Sequence, residues 1–424
     1  MTCMFRGRAF VCVAALLCAA AWASAGDWPQ FRGPGGLATA GDKDLPTKWD
    51  ATTNIAWKTP LAGRGASSPI VVGDRIFLTC YTGYAIDRKE PGDPSDLRIH
   101  FLCLKRADGS LLWDKPLTID AELPPVIFQI QLHGFASATP VADAETVYTI
   151  IDGGLVTAWD FDGKQKWTKD LKFRVHPWGT GASPVLAGDL VIVTESMGDG
   201  QMVALTRAEG KEVWRRPEIG AAWDTPLLLK VGDHDELILS ASRLIEGFDP
   251  ANGEPLWKAK GIESYTCSGL VAADGVVFAI GGRGEAVAVK AGGKGDVTAS
   301  NVLWRIPRGS IVSSPVYHDG YLFWALDTGK TVYCADVKKG ELAYEADLPP
   351  QTAWVYASPI VGGGNLYYIA RDGTTHVVAA KPKFELVAVN KLADDKSVFN
   401  ASPVPSQGQL LIRSDSFLYC IGKK

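Results

Sequence analysis

One pattern returns along this chain at intervals of roughly 40–50 residues, the spacing of solenoid and propeller repeats. It is a short strand ending on a small residue, then a glycine turn, then a strand carrying a large aromatic. Gly247–Trp257, with the sequence Gly-Phe-Asp-Pro-Ala-Asn-Gly-Glu-Pro-Leu-Trp, shows it most clearly, and related versions occupy Cys103–Trp113, Ala158–Trp167, Ala204–Trp214 and Cys334–Tyr344. Asn-Gly between apolar runs favours a hairpin, because both residues tolerate the positive φ of a tight turn. The chain is therefore a repeat protein.

Each repeat unit opens with a strand preceded by a Ser/Thr-Pro dipeptide. The hydroxyl residues of these dipeptides are Ser68, Thr139, Ser183, Thr225, Ser314, Ser358 and Ser402, and the fifth unit has Ser268-Gly269 at this place. A second strand rich in β-branched and aromatic residues follows, and the hairpin described above completes four strands. The count predicts an all-β fold, an eight-bladed β-propeller of four-stranded antiparallel blades.

The two chain ends predict how the ring closes. The last unit contains three strands and then stops at Ile421, without the strand that carries the aromatic. Asn54–Lys58, with Trp57, has the pattern of that fourth strand and no repeat in front of it. Pairing the first strand with the last leaves no open edge, so we expect this N-terminal strand to complete the last blade.

Residues 1–25 have the pattern of an export signal. Arg6 and Arg8 precede the apolar run Ala9–Ala21, and Ala23-Ser24-Ala25 is a small-x-small cleavage site. The apolar run is shorter than the about 20 residues that span a bilayer, and no later stretch is long enough. We predict an exported protein, periplasmic or extracellular, without a transmembrane segment.

The rest of the chain divides into an N-terminal arm, residues 26–46, and a propeller, residues 47–424. The arm is rich in turn residues, and we expect Trp28 and Phe31 to tether it to the body. Without the leader, 41 of the 43 basic side chains remain against 47 acidic ones. This balance favours no nucleic-acid partner, and we expect a monomer.

The cysteines beyond the leader are Cys80, Cys103, Cys267, Cys334 and Cys420. An odd number in an exported protein leaves room for an intermolecular or reactive thiol. However, three of them fall where other repeats place Ala or Gly, which marks a crowded interior position. Equivalent positions in neighbouring repeats lie too far apart for a disulfide. Buried free thiols are therefore predicted.

At these residues the chain resembles the pyrroloquinoline quinone (PQQ) repeat, or quinoprotein alcohol dehydrogenase-like, propeller superfamily, whose consensus is Ala-x-Asp-x-x-Thr-Gly-x-x-x-Trp. The resemblance covers essentially the whole mature chain, and it implies that the repeat tryptophans dock between neighbouring blades. By that analogy the structural tryptophans are Trp57, Trp113, Trp167, Trp214, Trp257 and Trp304. The superfamily contains both PQQ-dependent dehydrogenases and propellers without a cofactor, such as the scaffold lipoprotein of the outer-membrane β-barrel assembly machinery. Fold alone therefore does not decide function.

The signatures of an enzyme are weak. The dehydrogenases of the superfamily carry a vicinal Cys-Cys pair against the cofactor and a Glu/Asn pair on Ca²⁺, and the sequence has no Cys-Cys pair. The histidines form no His-x-His or His-Glu-x-x-His pair, so no metal site is predicted. We predict no cofactor and keep a PQQ-dependent oxidoreductase with a divergent, calcium-dependent site as the alternative.

The candidate site is a set of residues just ahead of the innermost strands, whose approach loops converge on one face of a propeller. They are Arg64, His133, His176, Trp178, Trp223, Asp224, Tyr265, Arg308, Trp354, Tyr356 and Asn400. Aromatic residues and arginine are enriched in recognition sites. We predict a non-enzymatic scaffold that binds a protein, peptide or saccharide on this funnel face. Two alternatives stay open: that these residues only cap the core, or that partners use the outer blade edges.

Overall fold

The computed structural model describes residues 26–423, apart from 88, 121, 124–131, 196–199, 242, 264–265, 283 and 351–352. The predicted export signal lies outside these residues. Within them, no helix is both long enough and apolar enough to cross a bilayer.

The described strands form eight antiparallel sheets, which we number as blades in chain order. Blade 1 contains β2 (Ile70–Val72), β3 (Arg75–Thr82), β4 (Arg98–Lys105) and β5 (Leu111–Leu117), and blade 2 contains β6 (Val141–Ala142), β7 (Thr146–Ile151), β8 (Leu155–Asp160) and β9 (Gln165–Asp170). Blade 3 contains β10 (Val185–Ala187), β11 (Leu190–Glu195), β12 (Gln201–Thr206) and β13 (Glu212–Pro217). Blade 4 contains β14 (Leu227–Val231), β15 (His234–Ala241), β16 (Leu244–Phe248) and β17 (Pro255–Lys260). In each, the first strand is innermost.

Blade 5 contains β18 (Val271–Ala273), β19 (Val276–Gly281), β20 (Glu285–Lys290) and β22 (Val302–Ile306), and blade 6 contains β23 (Val316–His318), β24 (Tyr321–Ala325), β25 (Thr331–Asp336) and β26 (Glu341–Asp347). Blade 7 contains β27 (Ile360–Gly362), β28 (Asn365–Ile369), β29 (Thr374–Ala379) and β30 (Leu386–Lys391). Blade 8 contains β31 (Val404–Ser406), β32 (Gln409–Arg413), β33 (Phe417–Ile421) and β1 (Ile55–Pro60). A short strand, β21 (Gly295–Asp296), adds a parallel fifth strand to blade 4. The short helical segments are Pro34–Gly36, Pro94–Asp96 and Thr298–Asn301.

The predicted eight-bladed ring and its closure are confirmed. Strand β1 lies antiparallel to β33, with Trp57 opposite Cys420, so the first strand completes the last blade. The edge that blade 8 would otherwise expose is paired within the same chain.

Most repeat tryptophans dock on the next blade, as the resemblance implied. The indole N–H donates to a carbonyl in that blade's turn at five seams, over 3.1 Å from Trp57 to Arg106, 3.0 Å from Trp113 to Phe161, 2.8 Å from Trp167 to Arg207, 3.1 Å from Trp214 to Pro250 and 2.8 Å from Trp304 to Val337. The ring lies on the turn glycine, for example Gly210 beneath Trp167, where a Cβ would come within 2.5 Å of the indole. Gly210 also has φ 68°, so both space and backbone require glycine there.

The small residue of each repeat lies directly opposite the docked aromatic. Cys103 pairs with Trp113, Cys334 with Tyr344 and Cys420 with Trp57 in the strand register. These three thiols and Cys80 are buried and free, which confirms the prediction for them, whereas Cys267 is partly exposed. At the equivalent Gly247, an added Cβ would lie 2.3 Å from Trp257 Nε1, so the aromatic of the neighbouring strand leaves little space at this position.

Two seams depart from the pattern because the next blade lacks the usual turn. Blade 5 replaces it with the insertion that contains β21, and Trp257 instead donates to Glu236 of its own blade over 2.6 Å. In blade 7, Ala388 occupies the register position of the repeat aromatic. In the next blade, no hairpin turn joins the two outer strands, because β33 pairs there with β1. The backbone N–H of Trp49, just ahead of β1, donates to Oδ1 of Asn390 in β30, the outer strand of blade 7. The N-terminal segment thus covers the place that a repeat tryptophan would fill.

Candidate functional site

A ring of side-chain hydroxyls surrounds the central channel. The hydroxyl oxygen that opens each blade accepts the backbone N–H of the equivalent residue in the preceding blade. These bonds are 3.0 Å from Ser68 to Thr139, Thr139 to Ser183, Ser183 to Thr225, Ser314 to Ser358, Ser358 to Ser402 and Ser402 to Ser68, and 2.8 Å from Gly269 to Ser314. The recurring Ser/Thr-Pro dipeptide therefore links neighbouring blades at the channel wall.

The ring has one gap, at blade 5. The sequence places Ser268-Gly269 at the Ser/Thr-Pro position, but in the structure Gly269 takes the position of the hydroxyl residue and Ser268 donates to the carbonyl of Ile280 instead. The backbone N–H of Thr225 therefore has no hydroxyl opposite it. A Cβ at Gly269 would meet only ordinary contacts, the shortest being 3.5 Å to Ser314 Oγ and 3.6 Å to Arg32 Nη1. The backbone there does not require glycine.

The N-terminal arm crosses the end of the channel opposite to the approach loops. Trp28 is buried and exchanges two backbone hydrogen bonds with Val71 of blade 1, over 2.8 and 2.9 Å. The carbonyl of Pro29 accepts the N–H of Ala142 in blade 2 over 2.8 Å, and Ala38 bonds to Val361 in blade 7. The predicted tether at Trp28 is confirmed. The arm therefore joins blades 1 and 2 to blade 7.

Arg32 anchors the arm at the gap in the hydroxyl ring. It is 3% exposed, and it donates to Leu270 O over 3.1 Å and to the carbonyl of Pro315, in blades 5 and 6. Burial lowers the pKa of its guanidinium to about 9. Phe31, the preceding residue, forms part of the channel lining from below. The arm closes the narrow end, so the channel is a cup.

The cup has a cavity of about 360 Å³, within the range of small-molecule pockets. Its wall contains all seven hydroxyls of the ring together with apolar and aromatic side chains. Among the predicted site residues, those on this wall are His133, Trp178, Trp223, Trp354, Tyr356 and Asn400.

Two aromatic pairs stand on the wall. Trp178 stacks on Trp223 with ring centroids 5.2 Å apart and planes 27° apart, and Trp354 stacks on Tyr356 at 5.9 Å and 26°. The first pair begins in the loop of blade 3 and the second in the loop of blade 7, four positions away in a ring of eight. The pairs therefore face each other, and Trp354 is 40% exposed at the mouth.

His133 connects the long insertion after blade 1 to blade 3. Its Nε2 lies 2.6 Å from the carbonyl oxygen of Trp178, and its Nδ1 lies 2.6 Å from Ser137 Oγ. A carbonyl can only accept, so Nε2 carries a proton. Burial lowers the pKa of this imidazole, which favours the neutral form with Ser137 donating to Nδ1. His133 is therefore a positioning group at the mouth.

The neighbouring residue, Leu132, reaches the far side of the cup. Its carbonyl accepts from Asn400 Nδ2 over 2.6 Å and from Arg371 Nη2 over 3.2 Å. The guanidinium of Arg371 also lies 4.7 Å from the centre of the Tyr356 ring, a cation–π contact. Leu132 and His133 thus narrow the mouth between blades 3, 7 and 8.

The other predicted site residues lie off the cavity wall. Arg64 pairs with Asp415 over 3.0 Å beside the mouth. The ring of His176 lies 6.1 Å from the rings of both Trp178 and Trp223, on their outer side. Arg308 pairs with Glu345 on the outermost strand of blade 6, away from the cup. Tyr265 lies outside the described residues.

Asp224 is buried behind the wall, and Asp152 has a similar environment in blade 2. Each accepts one backbone N–H, from Ser240 over 3.2 Å and from Thr180 over 2.8 Å. The other carboxylate oxygen of each has no hydrogen-bond partner among the described residues. Burial raises the pKa of Asp152 to about 7 and that of Asp224 to about 8. Both carboxyls therefore keep their protons to a pH well above the value near 4 at which an exposed aspartic acid is deprotonated.

Sequence reasoning missed several residues of the cup. Phe31 and Arg32 were attributed to an arm, and the hydroxyls of the ring served only to count blades. Arg371 and Asp327 belong to the ends of second strands, where no repeat motif draws attention. The recurrence of Ser/Thr at one position was the signal that could have identified the ring.

Few reactive groups lie on the described wall of the cup. Cys267 is the cysteine on its described wall, and burial raises the pKa of that thiol to about 12. The thiolate that a nucleophile requires is therefore scarce at neutral pH. Among the described residues, no three acidic, histidine or cysteine side chains cluster to hold a metal ion.

Comparisons with known proteins agree with this geometry. The family profile described as outer membrane protein assembly factor BamB matches residues 100–296 and 293–383, about two-thirds of the chain. An outer membrane protein assembly factor BamB from Alkalilimnicola ehrlichii is 25% identical over 194 residues, 45% of this chain and 42% of that protein. This chain thus spans less than half the length of that relative.

Two solved structures show the same fold. Quinohemoprotein alcohol dehydrogenase from Comamonas testosteroni superposes with a TM-score of 0.67 at 11% identity, covering 96% of this chain and 82% of that one. BamB from Moraxella catarrhalis gives 0.51 at 17% identity, covering 76% and 97%. At these identities the likeness concerns the fold alone. The profile match decides the family: the chain belongs to the PQQ-like repeat propellers described as outer membrane protein assembly factor BamB.

Proposed function

We propose that this protein is a non-enzymatic recognition propeller that binds a partner protein by receiving a small part of it in the cup. The observation that carries the proposal is the closed channel, with a cavity of about 360 Å³ between two opposed aromatic pairs. A rigid ring holds these walls at fixed spacing before any partner arrives, which reduces the entropy lost on binding. Trp354, 40% exposed, is the aromatic anchor that a partner meets first.

The residues of the cup do not fit a quinone cofactor bound as in the dehydrogenases. Cys267 is flanked by Thr266 and Ser268, so the vicinal cysteine pair of those enzymes has no counterpart there. Asp327 is the acidic side chain on the described wall, and it already accepts from Ser310 Oγ and the N–H of Ile311, both over 3.1 Å. These residues support a propeller that works without PQQ or calcium.

The family membership supports a protein partner and an exported location, periplasmic or extracellular. The likeness to outer membrane protein assembly factors covers less than half of the related protein from Alkalilimnicola, so the partner's identity is not carried over. We retain the division into an export signal, residues 1–25, an arm, residues 26–46, and a propeller, residues 47–424. We also retain the monomeric state as part of the proposal.

Site-specific photocrosslinking tests the proposed binding face. A benzophenone amino acid replaces Trp354 at the mouth in one variant and Val213, 49% exposed on the outer strand of blade 3, in the other. Irradiation of living cells is followed by mass spectrometry of the adducts. We expect a discrete protein adduct from position 354 and none from position 213.

A matched variant separates the cup from the surrounding rim. Replacing Tyr356 and Trp178 by Leu alters the wall and keeps apolar bulk, and it should abolish the adduct at position 354 without unfolding the protein. An adduct at position 213 alone would show that partners use the outer blade edges, which contradicts the proposal. An adduct at 354 that persists in the double variant would contradict the role of the cup.

A further inference from the structure

The hydroxyl ring presents donors to the cup. Each of the seven hydroxyl oxygens already accepts a backbone N–H, and none of them donates to an acceptor among the described residues. A hydroxyl also has one O–H group, which can donate one hydrogen bond. All seven residues line the same cavity, and Ser314 and Thr139 are 1% and 2% exposed. Their protons are therefore directed to whatever occupies the cup.

Unpaired arginines surround the cup and add positive charge. Arg32 below the floor and Arg413 behind blade 8 are 3% and 1% exposed, and neither forms an ion pair within the described part of the chain. Nε and Nη2 of Arg413 have no hydrogen-bond partner there, while Nη1 donates to the carbonyl of Ser67. Arg371 lies beside Tyr356 with no carboxylate contact among the described residues. Charges in such low-dielectric surroundings act strongly on a bound ion.

One wall carries the opposite charge. Asp327 of blade 6 lines the cup and is 1% exposed, and its hydrogen bonds to Ser310 and Ile311 hold it in place. Asp415 is compensated by Arg64 at 3.0 Å. Three arginines without a carboxylate partner among the described residues lie around the cup, against one aspartate on its wall, so the charge balance near the cup is positive.

We infer that the group bound in the cup is a carboxylate attached to an apolar or aromatic stem. The carboxylate oxygens accept hydrogen bonds from the hydroxyl ring, while the stem lies between the Trp178 and Trp354 walls. This inference rests on the proposed function and names the chemistry that the cup selects. Such a carboxylate has two sources, a free aromatic acid or the carboxyl end of a polypeptide.

Matched probes test the charge. 3-Phenylpropanoate and 3-phenylpropanamide have the same shape and differ in charge, and N-acetylphenylalanine imitates a chain end. Binding to the full mature protein is measured by isothermal titration calorimetry. We expect the carboxylate to bind at least about tenfold more tightly than the amide, since hydrogen bonds to charged groups are the stronger ones. The ratio between phenylpropanoate and N-acetylphenylalanine distinguishes a free acid from a chain end.

Two variants that preserve the fold sharpen the test. Asp327→Asn keeps an oxygen for Ser310 and Ile311 but removes the negative charge, and we expect about tenfold tighter carboxylate binding. Gly269→Ser closes the gap in the ring and adds an eighth hydroxyl, and we expect about threefold tighter binding. Gly269→Ala supplies the Cβ without the hydroxyl and should leave affinity unchanged.

Each result has a defined meaning. Equal binding of acid and amide, or weaker acid binding in Asp327→Asn, would overturn the carboxylate inference and leave the cup as a binding site for a neutral or cationic group. No binding of any of the probes at millimolar concentration would also overturn it. The photocrosslinking at position 354 decides the proposed function separately, because it requires no assumption about charge.

Discussion

The two ends of the channel are built in different ways. The narrow end is covered by the arm, where Trp28 and Arg32 are each 3% exposed and bonded to backbone groups of several blades. At the open end, Trp354 is 40% exposed, the carbonyl of Leu132 accepts from the side chain of Arg371, and His133 is bonded to the backbone carbonyl of Trp178. Contacts that stabilise the ring therefore concentrate at the floor, whereas surface available to a partner concentrates at the mouth.

This difference teaches where substitutions should act. Changes at the floor and the seams should alter the free energy of unfolding, and changes at the mouth should alter binding. We expect the largest effect from a change at the floor and the smallest from a change at the mouth.

Deleting residues 26–61 should have the largest effect. The deletion removes the arm and β1, so blade 8 keeps three strands and exposes the edge of β33. Exposed edges promote aggregation, and we expect the purified product to aggregate without a cooperative unfolding transition. Deleting residues 26–46 alone preserves β1, and it should give a folded, less stable protein. A soluble, cooperatively folding 26–61 deletion, measured by light scattering and circular dichroism, would refute the closure argument.

The buried carboxyls behind the wall should make stability depend on pH. The pKa values of Asp152 and Asp224, raised to about 7 and about 8, mean that the folded protein keeps protons that the unfolded chain releases near pH 4. Their stabilising contribution is complete below about pH 4 and declines as the pH rises towards 8. The parent protein should therefore lose stability between pH 5.5 and pH 8.5, by an amount on the order of several kcal/mol. Replacing both aspartates by Asn should remove this loss.

Urea midpoints at the two pH values measure this shift. The exposed carboxyl Asp93 supplies the control, because hydrogen bonds from Ser95 lower its pKa and Asp93→Asn should therefore leave the stability difference between pH 5.5 and pH 8.5 unchanged. An equal loss of stability between pH 5.5 and 8.5 in the parent and the double variant would contradict the assignment.

Completing the hydroxyl ring should have a moderate effect on stability. Gly269→Ser gives the backbone N–H of Thr225 an acceptor, and the added Cβ meets only contacts of 3.5 Å or longer. We expect a gain of about 1 kcal/mol over Gly269→Ala, the contribution of one hydrogen bond. Thermal or urea unfolding of the two variants measures it, and a Ser variant less stable than the Ala variant would argue against the ring geometry.

The mouth should tolerate change with the smallest loss of stability. Trp354→Leu is expected to alter the free energy of unfolding by no more than about 1 kcal/mol, whereas Trp113→Leu at a docked seam should cost about 3 kcal/mol. Binding of 3-phenylpropanoate should fall in the first variant and persist in the second, if the second remains folded. A large stability loss from Trp354→Leu would place this residue with the floor and seams instead.

The fold could be predicted from the sequence because each repeat has the same local pattern of residues. A glycine turn, a small residue and an aromatic recur in register, and the unmatched strand at Trp57 indicates the closure. The exceptional seams could not be read in this way. Ala388 and Trp257 depart from the pattern because the turn of the next blade differs at each seam. Which turn lies against which aromatic is known only once the ring is assembled.

The site was less predictable for the same reason. The sequence pattern identifies Trp178 and Trp354 as aromatic residues ahead of inner strands, yet their position on opposite walls of the cup depends on the blade count. Arg308 satisfied the same sequence rule, but its loop directs it to Glu345 on the outer strand. Arg32 lies about 240 residues from the carbonyl of Leu270 that it bonds, a contact that no local pattern indicates.

A crystal structure of the mature protein soaked with 3-phenylpropanoate tests the central claim most directly, because it locates floor, mouth and ligand together. We predict the carboxylate on the hydroxyl ring, with Phe31 beneath it and the phenyl ring between Trp178 and Trp354. The probe bound on the outer edges of the blades, or lying in a channel from which Phe31 and Arg32 have withdrawn, would contradict the account.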